Sequence, residues 1–236
     1  MSAITPLLRS VADLALLSLL LPLSLLPLSA LAADASGEAQ TYRLDPVHTR
    51  VMFAISHAGF SNAIGTVSGS TGTLVFDPED WTSASLKASV PITRLDLGDA
   101  KWNEATLAGN LLDAKDHPTA EFTSSRIEPI APDQARVHGT LTLRGVAQPV
   151  VLDVKLNAAK RHPLPPFRRT VGFSATATLS RKAFGIDAWP SVIGDSVALR
   201  IEAEAVRHSG KGDASTDDPT DDATDDATKP APPASS

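Results

Sequence analysis

Apolar and polar residues alternate with a period of two along most of the chain between residues 41 and 207. In residues 85–92 and 197–206 every second residue is apolar, and the residues between them are mostly polar or small. Such alternation is typical of a strand with one buried and one exposed face, because successive side chains of a strand point to opposite sides. The pattern therefore predicts a β-protein.

Two alternating runs, residues 137–143 and 150–156, flank Arg144-Gly145. A glycine at this position permits the positive backbone angle of a tight turn, which predicts a β-hairpin. The remaining candidate strands are residues 51–56, 66–76, 119–127 and 168–180, for a total of about eight.

One stretch has a helical pattern, residues 100–108. Asp99 precedes it as a candidate N-cap and Gly109 follows as a candidate C-terminal stop. We expect Trp102, Ala105 and Ala108 to form its inner side.

Eight antiparallel strands either close into a barrel or stack as a sandwich. Small residues at inward positions, such as Gly139, Ala175 and Ala177, favour a barrel with internal room, since an eight-stranded barrel fills its lumen or holds one small ligand. An outer-membrane barrel is excluded by charges such as Arg200 and Glu202 on the outward face. The predicted fold is all-β, an eight-stranded antiparallel barrel with one short helix near its mouth.

Both ends of the chain differ in composition from the middle. Residues 1–32 read as a signal peptide, with an apolar stretch from Leu14 to Leu28 and a small-x-small site at residues 30–32, which predicts cleavage after Ala32 and a periplasmic protein. An uncleaved membrane anchor is the alternative.

Residues 208–236 hold a Thr-Asp-Asp repeat and are expected to be disordered, with a calcium site as the weaker interpretation. The folded domain is then residues 33–207.

The formal net charge of −6 divides into 0 for residues 1–32, −1 for residues 33–207 and −5 for the tail. A nearly neutral domain without a basic face argues against nucleic acid as a partner. The chain contains no cysteine, which excludes disulfides, thiol nucleophiles and thiolate metal sites.

The opening segment, residues 42–51 (YRLDPVHTRV) followed by Phe53 and His57, resembles the start of the YceI family. Further matches, in order, are Gly65, Gly69, residues 72–74 (GTL), 76–78 (FDP), 112–113 (LD), 117–120 (HPTA), Phe122, residues 139–146 (GTLTLRGV), 149–150 (PV), 172–173 (GF), 184–185 (FG) and 194–195 (GD). The resemblance covers nearly all of residues 41–206. Two segments depart from it: residues 102–108 lack the charged pairs of many members, and Leu111-Leu112 replaces the usual Phe-Phe.

This resemblance implies an exported, lipocalin-like antiparallel barrel that binds long isoprenoid chains, either polyprenyl lipids or quinones. It requires no cofactor besides such a bound lipid. Transient membrane contact and a homodimer are both left open. If the helix closes the mouth of the barrel, the departures there imply a different head group or chain length from other members.

Several residues are candidates for contact with such a ligand because they lie in strand runs or beside the predicted mouth. They are Phe53, His57, Phe76, Ile92, Leu112, Phe122, Leu141, Leu143, Phe173 and Phe184. His57 shares a strand face with Val51, Phe53 and Ile55, so it points either into the lumen or toward a structural partner. Charged substitution of Leu141 or Phe173 is expected to abolish binding.

Other function classes find less support in the sequence. The six histidines do not cluster, and His48 and His57 fall on opposite faces of a straight strand unless the chain breaks near Thr49-Arg50. No Gly-x-Ser-x-Gly motif is present, and the acidic residues lie in turns, such as Asp77, or on polar strand faces. An enzyme using His57 as an acid-base residue on a small apolar substrate is the alternative, and a surface interaction module is the third possibility.

Overall fold

The computed structural model describes residues 38–208. The predicted leader, residues 1–32, and the predicted tail beyond His208 lie outside the described residues. The eleven strand segments are β1 (Gln40–Leu44), β2 (Arg50–His57), β3 (Ser61–Ser68), β4 (Thr71–Phe76), β5 (Ser85–Pro91), β6 (Leu95–Asp96), β7 (Thr119–Ala131), β8 (Gln134–Leu143), β9 (Val146–Arg161), β10 (Arg169–Ser180) and β11 (Ile193–Arg207). One α-helix, α1 (Ala100–Leu107), and three short 3-10 turns complete the described part.

These eleven segments make eight strands, because three of the strands are interrupted. β1 and β2 pair with the same edge of β11, β3 and β4 pair with β2 and β1, and β5 and β6 pair with β4 and β3. Every pairing is antiparallel and joins strands that are neighbours in sequence, except that the first strand also pairs with β11. The sheet is therefore a closed up-and-down barrel, which confirms the predicted fold class.

The breaks in the strands have local causes. Gly69, at φ +79°, separates β3 from β4, and the 3-10 turn Ile92–Arg94 separates β5 from β6. The sequence pattern predicts residues 66–76 as one strand, whereas the left-handed glycine bends the chain there. Breaks of this kind let long strands curve around a closed barrel.

The hairpin between β8 and β9 is confirmed. Arg144 and Gly145 both have positive φ, at 52° and 74°, as a two-residue type I′ turn requires. The two strands pair residue by residue from Leu143–Val146 to Gln134–Lys155.

Helix α1 begins as predicted, because the Asp99 carboxylate accepts hydrogen bonds from the backbone N–H groups of Lys101 and Trp102. Its predicted end is wrong: Ala108 is the C-cap in an extended conformation, and Gly109 is not among the glycines with positive φ. The helix lies in residues 97–118, which join β6 to β7.

The barrel has two different ends. We call the helix end the one formed by residues 57–61, 97–118, 143–146 and 181–192, and the far end the one formed by the turns β4–β5, β7–β8 and β9–β10. No pairing joins β6 to β7 within residues 38–208, so the segment that carries α1 occupies the helix end where these strands separate.

Candidate ligand-binding cavity

The inward faces of the strands enclose a cavity of about 480 Å³. Its wall is mainly aliphatic and aromatic, and side chains from β2, β5, β7, β8, β9 and β11 alternate between this wall and the outer surface. A pocket of this size lies within the range of about 300–1,000 Å³ typical of small-molecule sites.

All ten residues predicted to contact a ligand line this cavity. They are Phe53, His57, Phe76, Ile92, Leu112, Phe122, Leu141, Leu143, Phe173 and Phe184. The period-two pattern placed the strand members correctly, since residues two apart on one strand share a face. That they contact a ligand stays a prediction.

The far end is closed by aromatic side chains. Phe76 lies edge-on to Trp81 and to Phe173, with ring centroids 5.1 and 5.3 Å apart. The same cluster contains Tyr42, and burial raises the pKa of its hydroxyl above the usual value. Edge-to-face packing of this kind is a favoured aromatic arrangement and forms an apolar floor for the cavity.

Two phenylalanine rings of the wall lie across glycines of the neighbouring strand. A Cβ on Gly65 would stand 2.4 Å from the Phe53 ring, and a Cβ on Gly139 would stand 2.4 Å from the Phe122 ring. The sequence interpretation that Gly139 leaves room inside the barrel is therefore wrong, because the Phe122 ring already occupies that room.

At the helix end, α1 and residues 181–192 meet the β2–β3 hairpin. The rings of His57 and Trp102 are 5.6 Å apart and tilted by 45°. Trp102, Ala105 and Thr106 of α1 line the cavity, whereas Ala108, predicted for the inner side, does not. Trp189 and Val192 also line it, and both are exposed.

Sequence reasoning missed Arg181, a buried cation on the cavity wall. Its guanidinium donates hydrogen bonds to the backbone carbonyls of Gly194, Ile186 and Ile193, at 2.8, 2.9 and 2.9 Å. Only 4% of the residue is exposed. Arg181 therefore ties together both arms of the loop that leads into β11.

The carboxylate next to this loop is Asp195. It accepts hydrogen bonds from the Lys182 backbone N–H at 3.0 Å and from the Ser180 hydroxyl at 2.8 Å. These bonds hold the pKa of Asp195 below its usual value, so it stays ionised and fixes the start of the 3-10 turn.

Two buried polar atoms of the cavity wall have no hydrogen-bond partner, Ser70 Oγ and Trp81 Nε1. Leaving a buried polar group without a hydrogen-bond partner is energetically costly. Ser70 lies at the break between β3 and β4, and Trp81 lies at the far end.

The two histidines lie apart, but their odd spacing does not decide this, because the chain breaks between them just before Arg50. The chain turns at residues 45–49, His57 faces the cavity, and His48 lies outside, with Nδ1 2.8 Å from Asp45 Oδ2. Within residues 38–208 no group of three or more metal-ligating His, Asp or Glu side chains occurs.

The acid Asp77, expected to be a solvated turn residue, is buried. Its carboxylate accepts a hydrogen bond from the Glu79 backbone N–H at 2.9 Å, which fixes the turn after β4.

In the part of the chain that the structure describes, no helix is long and apolar enough to cross a bilayer.

Comparison with known proteins gives a consistent family assignment. The family model of the YceI-like domain matches residues 42–205. A UPF0312 protein of Pectobacterium atrosepticum is 31% identical over 187 residues, which is 78% of this chain and 96% of that protein. A UPF0312 protein of Pseudomonas paraeruginosa is 30% identical over 181 residues, covering 76% of this chain and 93% of that protein.

Solved structures share the fold. Burkholderia cenocepacia BcnA superposes with a TM-score of 0.61 at 24% identity, covering 68% of this chain and 98% of that chain. A polyisoprenoid binding domain from Saccharophagus degradans superposes with a TM-score of 0.54 at 14% identity, covering 72% of this chain and 99% of that domain. The matched region spans nearly the whole closed barrel, and the chain belongs to the YceI-like domain family.

Proposed function

We propose that this protein is an exported binder or carrier of a long-chain isoprenoid lipid, either a polyprenyl lipid or a quinone, which it holds inside the barrel. The observation that carries the proposal is the apolar cavity of about 480 Å³ with an aromatic floor at one end. A binding role suits this wall better than catalysis, because the guanidinium of Arg181 already donates to three backbone carbonyls, and Ser70 and Trp81 lie away from His57 at the helix end.

The driving force is burial of apolar surface, worth roughly 25 cal/mol per Å². An isoprenoid chain carries no charge along its length, so each further unit that enters the cavity adds binding energy without a polar partner. Affinity should therefore rise with chain length until the cavity is full and change little with salt, since screening acts on exposed charges.

One structural neighbour supports the ligand class. The S. degradans domain, a neighbour in fold, is described as a polyisoprenoid binding domain. Its identity to this chain is low, so the ligand class proposed here depends on the cavity wall as well.

Export follows from the leucine-rich leader and the Ala-Leu-Ala site at residues 30–32. We place the protein in the periplasm with a mature N-terminus at Ala33. N-terminal sequencing of the protein isolated from the cell envelope tests this, and an intact Met1 in the membrane fraction would contradict it.

The ligand test is a titration of the purified protein with a short and a long polyprenyl compound. We expect the long compound to bind more tightly, with affinity unchanged in moderate salt. Equal affinity for both compounds, or binding lost in salt, would contradict a site inside the barrel.

A matched pair of variants assigns the site. Leu141→Asp puts a charge on the cavity wall and should abolish binding, whereas Thr140→Asp puts the same charge on the exposed neighbouring position of β8 and should leave binding within about two-fold. Circular dichroism of both variants checks that the barrel is intact. Loss of binding in both variants, or in neither, would move the ligand away from this cavity.

A further inference from the structure

Five large apolar side chains at the helix end are exposed, and we call them the mouth patch: Phe60, Ile64, Trp102, Trp189 and Val192. Their exposed fractions are 92, 59, 46, 50 and 40%. They come from the β2–β3 hairpin, α1 and the loop before β11. Exposed apolar side chains scattered singly need no explanation, but a group collected from three segments at one opening indicates an interaction surface.

The three segments are in direct contact. The Ala58 N–H donates to the Val192 carbonyl at 2.6 Å, and the Val192 N–H donates to the Trp189 carbonyl at 2.9 Å. The His57 ring packs against the Trp102 ring with centroids 5.6 Å apart. Hydrogen bonding and ring packing therefore place the hairpin, α1 and the loop before β11 next to one another at the helix end.

The mouth patch is also continuous with the cavity. Trp102, Trp189 and Val192 line the cavity wall, whereas Phe60 and Ile64 do not. Three of the five side chains of the patch therefore also belong to the cavity wall, and the other two lie on the β2–β3 hairpin.

Residues 52–56 of β2 and 62–66 of β3 carry no charged side chain on the outer surface, whereas Arg50 lies further along the outward face of β2. The outward residues between Met52 and Ser56 and between Asn62 and Thr66 are Met, Ala, Ser, Asn, Ile and Thr. By contrast, the outer face of β7 and β8 carries a network in which Glu128 lies 3.1 Å from Arg126 and 3.0 Å from His138. This uncharged stretch leads to the β2–β3 turn that carries Phe60, and charged residues flank it at Arg200 of β11 and Asp96 of β6.

We propose that the mouth patch docks on the surface of a lipid bilayer, with Phe60 and the two tryptophans inserted at the headgroup level. This proposal rests on the proposed function, because a long isoprenoid chain is stored in a membrane and must pass between bilayer and cavity without crossing water. Tryptophan and phenylalanine at protruding tips suit the membrane interface, where an apolar body and a polar edge are both accommodated.

A bilayer fits the patch better than a second copy of the chain does. The patch consists of side chains on loop tips around an opening, whereas a stable dimer needs a broad face of about 800 Å² per partner. The chain also has a net charge of −6, so attraction to anionic lipid is not expected. Docking should therefore proceed on vesicles of phosphatidylcholine, which is zwitterionic and has no net charge, and should persist in moderate salt.

The test uses protein isolated from the cell envelope and vesicles of phosphatidylcholine that carry bromine on the acyl chains. Of the three tryptophans, Trp81 is buried at the far end, so quenching of emission by bromine reports on Trp102 and Trp189. We expect quenching with the unmodified protein, and about ten-fold weaker vesicle binding with Phe60→Ser, because a large apolar side chain is lost from the interface.

The matched control is Leu164→Ser, which removes an apolar side chain of 64% exposure at the far end and should change vesicle binding by less than about two-fold. Phe60 does not line the cavity, so Phe60→Ser should also leave polyprenyl binding in solution unchanged. Failure of the proposed function would instead appear as loss of polyprenyl binding in the unmodified protein.

Three results would overturn the docking proposal. Unquenched emission from protein that sits on the vesicles would place the tryptophans away from the lipid. Equal effects of Phe60→Ser and Leu164→Ser would remove the role of the mouth. Dimerisation that depends on Phe60, without vesicle binding, would assign the patch to a second copy.

Discussion

Gly65 and Gly139 show how single residues shape the cavity. Each lacks the side chain that would collide with an aromatic ring from the adjacent strand, Phe53 in one case and Phe122 in the other. Each ring therefore occupies the space beside the glycine in which a side chain would otherwise lie. A glycine under an aromatic ring is a known way to accommodate strong curvature in a sheet.

Replacing Gly139 by alanine should lower the free energy of unfolding by about 1–3 kcal/mol, because the added methyl group meets the Phe122 ring at 2.4 Å and the Thr123 carbonyl at 2.6 Å. The matched control is Gly172→Ala, where the nearest atom, the Ala203 carbonyl oxygen, lies 4.0 Å away. Urea denaturation of both variants provides the measurement. An equal effect of the two substitutions would show that the loss is a general property of strand glycines.

Residues of the cavity wall were the easiest part of the site to predict. Because side chains two apart on a strand share a face, the alternation predicts that Leu141 and Leu143 point the same way, and the structure places both on the cavity wall. Arg181 could not be found in this way: between Ser180 and Lys182 it has the appearance of an exposed turn residue. Its partners are backbone carbonyls, which every residue carries, so no sequence signal marks them.

At the scale of elements, Arg144 connects the three segments of the helix end. It sits in the β8–β9 turn and donates to the Gly185 carbonyl at 2.9 Å and to the Gly109 carbonyl at 2.8 Å. The hairpin, the segment that carries α1 and the loop before β11 therefore share one side chain. The planar guanidinium suits this task because its donors point in fixed, diverging directions.

Replacing Arg144 by lysine should loosen both neighbouring segments, because one ammonium group cannot reach two carbonyls in the same fixed geometry. We expect a loss of roughly 1–3 kcal/mol in unfolding free energy and faster hydrogen exchange in residues 108–114 and 183–187. Gln148→Ala is the control, because the Gln148 side chain donates to the Ala183 carbonyl, at 2.8 Å, and so reaches one of the two segments. Unchanged exchange at residues 108–114 in the lysine variant would contradict this role.

Element boundaries were predicted less well than element types. The helix start follows from a side-chain cap at Asp99, which is a local signal, but its end does not. Residues after Leu107 bend back so that the Ala114 N–H bonds to the Leu107 carbonyl and the His117 N–H bonds to the Asp113 carbonyl. The helix therefore ends one residue before the predicted end, and Gly109 does not act as a left-handed C-terminal stop.

The whole molecule depends on closure between its first and last strands. β11 pairs with β10 along eleven residues and with β2 along much of its other edge, and it then meets β1 through Tyr42–Arg207, Arg43–Val206 and Leu44–Ala205. Ala205 is fully buried in the far-end core beside Phe76. Three residue pairs near the end of the domain therefore extend the closure that β2 and β11 form along the rest of this edge.

Closure explains why the pattern alone left a sandwich and a barrel open. Both architectures use alternating antiparallel strands, and they differ in whether residues far apart in sequence, such as Leu44 and Ala205, become neighbours. Local alternation carries no information about that pairing. The family resemblance supplied it, because it concerns a complete fold and not a single strand.

Two truncations test closure and the tail together. A chain that ends at His208 keeps every β1–β11 pair, and its unfolding free energy should change by less than about 1 kcal/mol, since residues 209–236 contain no large apolar side chain. A chain that ends at Glu204 lacks Ala205–Arg207 and should lose roughly 3 kcal/mol or more, because β1 loses its three pairs with β11 and the far-end core loses a buried residue. Urea denaturation of both chains, followed by intrinsic tryptophan fluorescence, gives the comparison. Equal stability of the two chains would mean that the β2–β11 pairs, which both chains keep, are sufficient to close the barrel, and a large loss in the longer chain would mean that the tail contributes to the fold.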